Sequence, residues 1–418
     1  MRRRHVAIFT LPVSAHVFPV LELCLELEAR GYRVTYVTTD ALVSAVESVR
    51  AEPIIVKPST HSDDVAQGKW KTLRVLPPED PAWWVMYGTE GYPGTLAFAT
   101  EVLMQVESFY NENVPDLILY DPISFAGRIL ALRLSRPAIQ IFGSFAPYKG
   151  FLYRQNGRYV NPEPMLAFSH ELDRFLKGHG IKETGNLWHS ERLNIHFIPR
   201  EFQYESESFG EQYRFVGACL NRPYSPSWKN GNRGTPIVLV SHLSDPATGT
   251  DTEYFRLFRD ALAAMDINVI LSIGKHINED ELKPLPSNIE LNRVASHLEI
   301  LPHAALFVGQ AGTGSTLEAL YHGVPTLLLP VTPFHEEVAA RVVELGLGVR
   351  LTRTEVTETL VRETVFTMLN DGALRVRVGE MQAVFRRGGG ARSAADEIEN
   401  FLVAAPQVEL SAAKKSKS

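Results

Sequence analysis

Cysteine is nearly absent. The chain has two in 418 residues, Cys24 and Cys219, far apart and in no metal or redox spacing. That excludes a disulfide framework and a cysteine-held metal, and both read as small buried hydrophobes in a reducing compartment. Long apolar runs are absent too. None reaches about 18 residues, so no transmembrane helix is expected. Positive charge is not in excess. The net charge of −6 argues against a nucleic-acid surface. No secretory leader is expected, because Met1 to His5 leads straight into a strand pattern, and the expected location is the cytoplasm. What remains is ordinary for a globular protein, 45% apolar and 22% charged, at a length that suits roughly two or three domains.

Glycine, by contrast, is concentrated where it can do chemistry. Ala305 to Leu320 reads as a buried strand, a glycine-rich turn and a helix opening near Gly314 to Thr316. Small residues let a backbone approach an anion. The first helical N–H groups have no partner within the helix, and the helix dipole favours negative charge there. Gly309, Gly312 and Gly314 do not form a GxGxxG, and many α/β proteins carry such turns for packing alone. The strand after His322 leads to a loop from Val331 to Glu337, placed where open parallel sheets bind ligands.

The N-terminal half opens with a strand from His5 to Leu11, a turn through Pro12 to Pro19, a helix from Val20 to Arg30 and a strand from Arg33 to Thr38. This alternation predicts an α/β fold with doubly wound parallel sheets. His16, in the first turn, reads as either a functional imidazole or a capping or packing residue. Residues 58 to 100 break the rhythm with Trp70, Trp83, Trp84, Tyr87, Tyr92 and Phe98. These aromatics either line an apolar pocket or pack a long loop onto the body. Further strands are expected at Pro115 to Asp121, Ala138 to Phe142, Leu193 to Ile198 and Tyr213 to Val216.

A Pro/Gly/Asn/Ser-rich stretch, 221–235, reads as a linker between an N-terminal domain, 1–220, and a C-terminal domain, 236–389. Helical segments follow around Gly388 to Gly390, and 407–418 reads as a disordered tail.

Several motifs in order give the chain a resemblance. Leu11 to Pro19, Asp116 to Asp121, Phe215 to Gly217, Ala311 to Glu318, Arg341 to Gly348 and Gly388 to Ala395 together resemble a family 1 glycosyltransferase of the GT-B fold, of the macrolide and natural-product type. The resemblance covers about residues 5 to 405. It implies two Rossmann-like domains facing across a cleft, the first binding acceptor and the second nucleotide-sugar. A last helix, about 390–405, would brace the first domain. It makes His16 the general base and Asp121 the residue that orients it. It places Ser14, Ser241, His242, Ser244, Ala295, His297, Gln310, Gly312, Thr313, Gly314, Ser315, Thr316, Glu318, Phe334 and His335 on the donor, with Glu318 on the ribose hydroxyls. It places Trp70, Trp83, Trp84, Tyr87, Phe145 and Tyr148 on the acceptor. The co-substrate implied is a dTDP- or UDP-sugar. No metal and no other cofactor is implied.

The donor side departs from that pattern. Gln310 stands where the family has a histidine, and Phe334-His335 where it has an acidic residue and glutamine. Phe334 replaces a hydroxyl-reading carboxylate with an apolar wall, which suits a deoxysugar better than glucose. His242 and His335 are candidates to supply the positive charge that Gln310 lacks. The alternatives are a non-catalytic relative with a degenerate donor site and, further off, a GT-B enzyme of another reaction. The acceptor expected is an apolar scaffold such as a polyketide or macrolide.

Overall fold

The computed structural model describes residues 3–57, 92–148, 154–155, 158–159, 163–181, 190–220, 228, 234–242, 252–274, 277–293 and 296–415. Two parallel sheets organise them. The first is built from β1 (His5–Phe9), β2 (Arg33–Thr38), β3 (Glu52–Ile55), β4 (Leu117–Tyr120), β5 (Ala138–Phe142), β8 (Asn194–His196) and β9 (Tyr213–Phe215). Its order is β3-β2-β1-β4-β5-β8-β9, and β6 (Arg154–Gln155) pairs apart with β7 (Arg158–Tyr159). The second sheet has β10 (Ile237–Ser241), β11 (Asn268–Ser272), β12 (Ile289–Asn292), β13 (Ala304–Gly309), β14 (Thr326–Leu328) and β15 (Gly348–Arg350), in the order β12-β11-β10-β13-β14-β15. Near-continuous burial of β1, β4 and β10 fits strands covered on both faces.

The connecting helices include α1 (Ser14–Ala29), α2 (Val43–Glu47), α3 (Tyr92–Glu112), α4 (Phe125–Arg133), α5 (Glu163–Gly178) and α6 (Thr252–Leu262). They continue with α7 (His297–Ile300), α8 (Thr313–Tyr321), α9 (Pro333–Glu344), α10 (Glu358–Asn370), α11 (Gly372–Arg387) and α12 (Gly390–Lys415). In α6, Tyr254, Phe255, Phe258, Ala261 and Leu262 are buried, the spacing of one helical face on a sheet.

The structure alters several expectations. Helix α1 begins at Ser14, not Val20, and runs through Pro19. Proline lacks the N–H that would bond Ala15, but Ala15 is exposed, so water can take its carbonyl. His16 therefore sits on a helix turn instead of a loop. Helix α4 was not anticipated because Phe125 to Ala131 are all buried, which erases the amphipathic period. The expected loop from Val331 to Glu337 holds the start of α9, with Pro333 in the first turn and Thr332 Oγ1 capping the His335 N–H. Helix α12 runs on to Lys415, through most of the stretch read as a tail. Its residues from Val408 to Lys415 are largely Ala, Glu, Leu and Lys, all good helix formers. The stretch read as a linker lies almost wholly outside the described residues.

The chain passes between the halves twice, and the two passages touch. Gly217 has φ +82° and lies 3.2 Å, measured from an added Cβ, from the Gly388 Cα. The Gly390 N–H donates to the Val216 carbonyl at 2.7 Å. Only glycine allows this backbone-on-backbone approach. Beyond it, α12 packs on α1, where Arg30 meets Asp396 and Glu399, each at 2.7 Å.

Candidate active site

In each sheet the strand order reverses once, and the crevice beyond the strand ends at that reversal is where open α/β sheets take ligands. In the first sheet the reversal falls between β1 and β4. His16 lies one short turn beyond β1 and Asp121 directly follows β4, so the topology brings them together from 105 residues apart. The His16 Nδ1–H donates to the Asp121 carboxylate. Asp121 is 1% exposed, and its other oxygen accepts from the Ile123 N–H at 3.0 Å. With Nδ1 carrying the proton, neutral His16 presents a lone pair at Nε2. Burial pushes the His16 pKa down, but the charge and hydrogen bond of Asp121 together outweigh it and hold the imidazole above its usual value. The Phe142 ring, at the end of β5, lies 5.9 Å from the imidazole.

In the second sheet the reversal falls between β10 and β13, followed by His242 and Gln310. Gln310 is buried, and Ala311 takes a left-handed φ of +66° while being 0% exposed. That conformation costs a non-glycine residue roughly 1–2 kcal/mol. It turns the chain so that successive N–H groups face outward at the start of α8. The glycines here are not the strained residues. A Cβ on Gly312 would meet only Ser315 Oγ at 3.5 Å, and one on Gly314 would meet nothing within 4 Å. Neither glycine is required by backbone conformation or by crowding within the described chain, although glycine in a helix costs about 1 kcal/mol against alanine. What they leave open is room above a helix N-terminus.

The other donor-side residues are placed unevenly. Thr313 and Ser315 are partly exposed at the first turn of α8, and Ser315 Oγ donates to the Gly312 carbonyl at 3.2 Å. Thr316 is 0% exposed and its hydroxyl has no partner among the described residues, so it does not line the cleft. Glu318 is buried, with His297 Nδ1 3.6 Å from its carboxylate, and Ser296 and Glu299 form a capping box that sets α7. Ser14 is exposed on the first turn of α1, and Ser241 ends β10. Ser244 and Ala295 lie outside the described residues.

His335 corrects one expectation. Its Nδ1 is enclosed without a hydrogen-bond partner, and burial, with the neighbouring His242, pushes its pKa down to about 3. It is neutral at any physiological pH and supplies no positive charge. His242 packs its ring 4.5 Å from that of Tyr254.

Comparison with known proteins decides the family. Residues 256–389 match the model of the erythromycin biosynthesis protein CIII-like C-terminal domain. The NDP-glycosyltransferase YjiC of Bacillus licheniformis is 32% identical over 97% of this chain and 99% of its own. The chain belongs to the family 1 natural-product glycosyltransferases. Demethyllactenocin mycarosyltransferase of Streptomyces fradiae is 29% identical over 96% of this chain and 87% of its own. The crystal structure of CalG4, a calicheamicin glycosyltransferase, superposes with a TM-score of 0.81 at 31% identity, over 97% of this chain and all of that one. The two-sheet GT-B architecture and an enzyme that transfers sugar from a nucleoside diphosphate are thereby established.

On the acceptor side of the glycosyltransferase, Trp70, Trp83, Trp84 and Tyr87 lie outside the described residues. Phe145 is core: it is 3% exposed and stacks on Phe202 at 5.6 Å. The resemblance places it on the acceptor, but its ring is spent on packing. Tyr148 donates its hydroxyl to Glu337. Ser144 and Glu337 carry no local sequence signal, because their contacts reach across the fold. Among the described residues, no group of three possible metal ligands converges and no helix is long and apolar enough to cross a membrane.

Proposed function

We propose that this glycosyltransferase is inverting and moves a deoxysugar from a dTDP- or UDP-linked donor to a hydroxyl of an apolar natural product. His16 Nε2 takes the acceptor proton as the acceptor oxygen attacks the anomeric carbon. The bond from that carbon to the diphosphate oxygen breaks, and the nucleoside diphosphate leaves with the electron pair. Asp121 holds the imidazole in the tautomer that leaves Nε2 free and steadies the imidazolium that forms. The backbone N–H groups from Gly312 to Ser315 and the α8 dipole take the diphosphate charge. No metal or other cofactor takes part in this reading.

The observation that carries it is the pairing of half-buried His16 with buried Asp121 at one switch point, facing an α8 N-terminus whose glycines leave space that nothing in the described chain needs. The deoxysugar reading rests on Phe334. A site that reads hydroxyls through buried polar groups discriminates strongly, and Phe334 with neutral His335 offers few such groups. A relative named for mycarosyl transfer, and others named for calicheamicin and erythromycin, support natural-product chemistry.

Calorimetric titration with UDP, dTDP, GDP and ADP, without metal, comes first. One pyrimidine diphosphate is expected to bind. Donors on that nucleotide are then compared, with His16→Ala as the inactive control. Turnover of UDP-glucose as fast as any deoxysugar donor would remove the deoxysugar reading, and full activity in His16→Ala would remove the base.

A further inference from the structure

The segment leaving β5 touches both halves of the cleft. Phe142 lies beside the His16 ring. Gly143 runs so close to α1 that a Cβ would sit 2.8 Å from the Pro19 ring. Ser144 Oγ is 3.4 Å from Thr313 Oγ1 on α8. Tyr148 donates to the Glu337 carboxylate on α9 and stacks on Tyr204, ring centroids 4.9 Å apart. Tyr204 in turn donates to the Glu337 carbonyl at 2.9 Å. Glu337 lies on the same helical start as Phe334 and His335. Seven residues thus run from the base, past the phosphate helix, to the helix that carries the sugar-side residues.

Joining the halves does not require the polar contacts. Phe145 and Phe202 already pack into the core of the second half. Apolar contact, however, is non-directional. The directional bonds from Arg341 to the carbonyls of Glu201, Phe202 and Gln203, at 2.9–3.0 Å, hold the far end of α9. That leaves its start, where Phe334 and His335 lie, to Tyr148 and Glu337. A tyrosine hydroxyl on a carboxylate is directional and short. Burial and the Glu337 charge push the Tyr148 pKa up, so it stays a donor throughout the working range.

We propose that Tyr148 and Glu337 form a positioning pair. They fix the register of α9, and so the placement of the donor sugar, against the His16 side of the cleft. The proposal rests on the transfer reading above. Neither residue touches the reacting atoms.

The test uses the full chain with Tyr148→Phe, Glu337→Ala, Glu337→Gln and the double variant Tyr148→Phe/Glu337→Ala. Tyr148→Phe and Glu337→Ala are each expected to lower kcat about tenfold, the scale of a small misplacement of reacting groups. Diphosphate Kd should stay within about twofold, because its cradle is on α8. Glu337→Gln keeps an oxygen that accepts from Tyr148 and should restore most of kcat. The double variant should be no slower than the slower single. An unchanged kcat in Tyr148→Phe would overturn the pair, as would losses that multiply in the double. A fall in Kd affinity and melting temperature parallel to kcat would make the contact merely structural and overturn it too. If the parent turns over no donor, the transfer reading fails separately. The pair is then judged by amide exchange at residues 334–344, where equal protection in the parent and Glu337→Ala would sink it.

Discussion

The two switch points share a topology and differ in electrostatics. Between β1 and β4 the chain places a carboxylate against an imidazole and raises its pKa. Between β10 and β13, and on α9 beside it, half-buried His335 has its Nδ1 enclosed and is held neutral, and Gln310 carries no charge. On the proposed reading, one crevice makes a base, and the other meets an anion with helix dipole and backbone N–H groups, whose polarity does not depend on pH. The fold supplies the crevice twice, and the side chains decide what each one does.

The sharpest way to break that contrast is Asp121→Asn. The base works only when neutral, so kcat/KM should rise with pH as His16 loses its proton. The paired carboxylate holds that midpoint above about 6.5. Asparagine removes the charge that outweighs burial, so the midpoint should move below about 6.5 while the rate plateau drops roughly a hundredfold. The plateau falls because the imidazolium formed in the transition state loses its counter-charge. Diphosphate affinity, set at the other switch point, should not change. A pH profile that keeps its midpoint would mean that Asp121 does not control His16.

The contrast also marks what was legible. The βα alternation announced the parallel sheets, and the α/β GT-B architecture is borne out. His16 and Asp121 are each a polar residue just past a buried strand, but position leaves His16 open to a packing role, and only the resemblance pairs the two. The neutral half was harder. Ala311, not a glycine, takes the left-handed turn, and no residue-type rule points to an alanine there. The resemblance puts Phe145 and Tyr148 on the acceptor, yet one is packed in a core and the other is tied to a glutamate 189 residues away. Tertiary partners decided those cases, and a local pattern cannot name them. The enclosure of His335 belongs to the same class, since it depends on where α9 docks.

His335 gives a middle-sized test. Its folded pKa is about 3, against about 6.5 for an unfolded histidine. Below about pH 6.5 the unfolded chain takes a proton that the folded chain refuses, so this residue's share of stability is present above that pH and lost as pH falls toward 3. By pH 5 the loss should reach about 1–2 kcal/mol. Melting curves of the parent and His335→Asn between pH 7.5 and 5 check it. The variant should lose less stability over that range. Parallel curves would mean that His335 takes up its proton normally and that the second crevice is not built neutral.

The smallest expected effect is the most discriminating, because its two parts have opposite signs. Gly314 sits in the first turn of α8, exposed, with an ordinary φ and nothing within 4 Å of a Cβ. Judged on the free protein alone, alanine is the better residue there. Gly314→Ala should raise stability by about 0.5–1 kcal/mol, since alanine loses less chain entropy on entering a helix. If the open space is for a diphosphate resting on the first N–H groups, the added methyl stands in its way and affinity should fall severalfold. A stabilised protein with unchanged diphosphate affinity would show that the anion sits elsewhere and that the glycine is incidental. A stabilised protein with weakened binding would show that stability was given up at this turn to let a ligand approach.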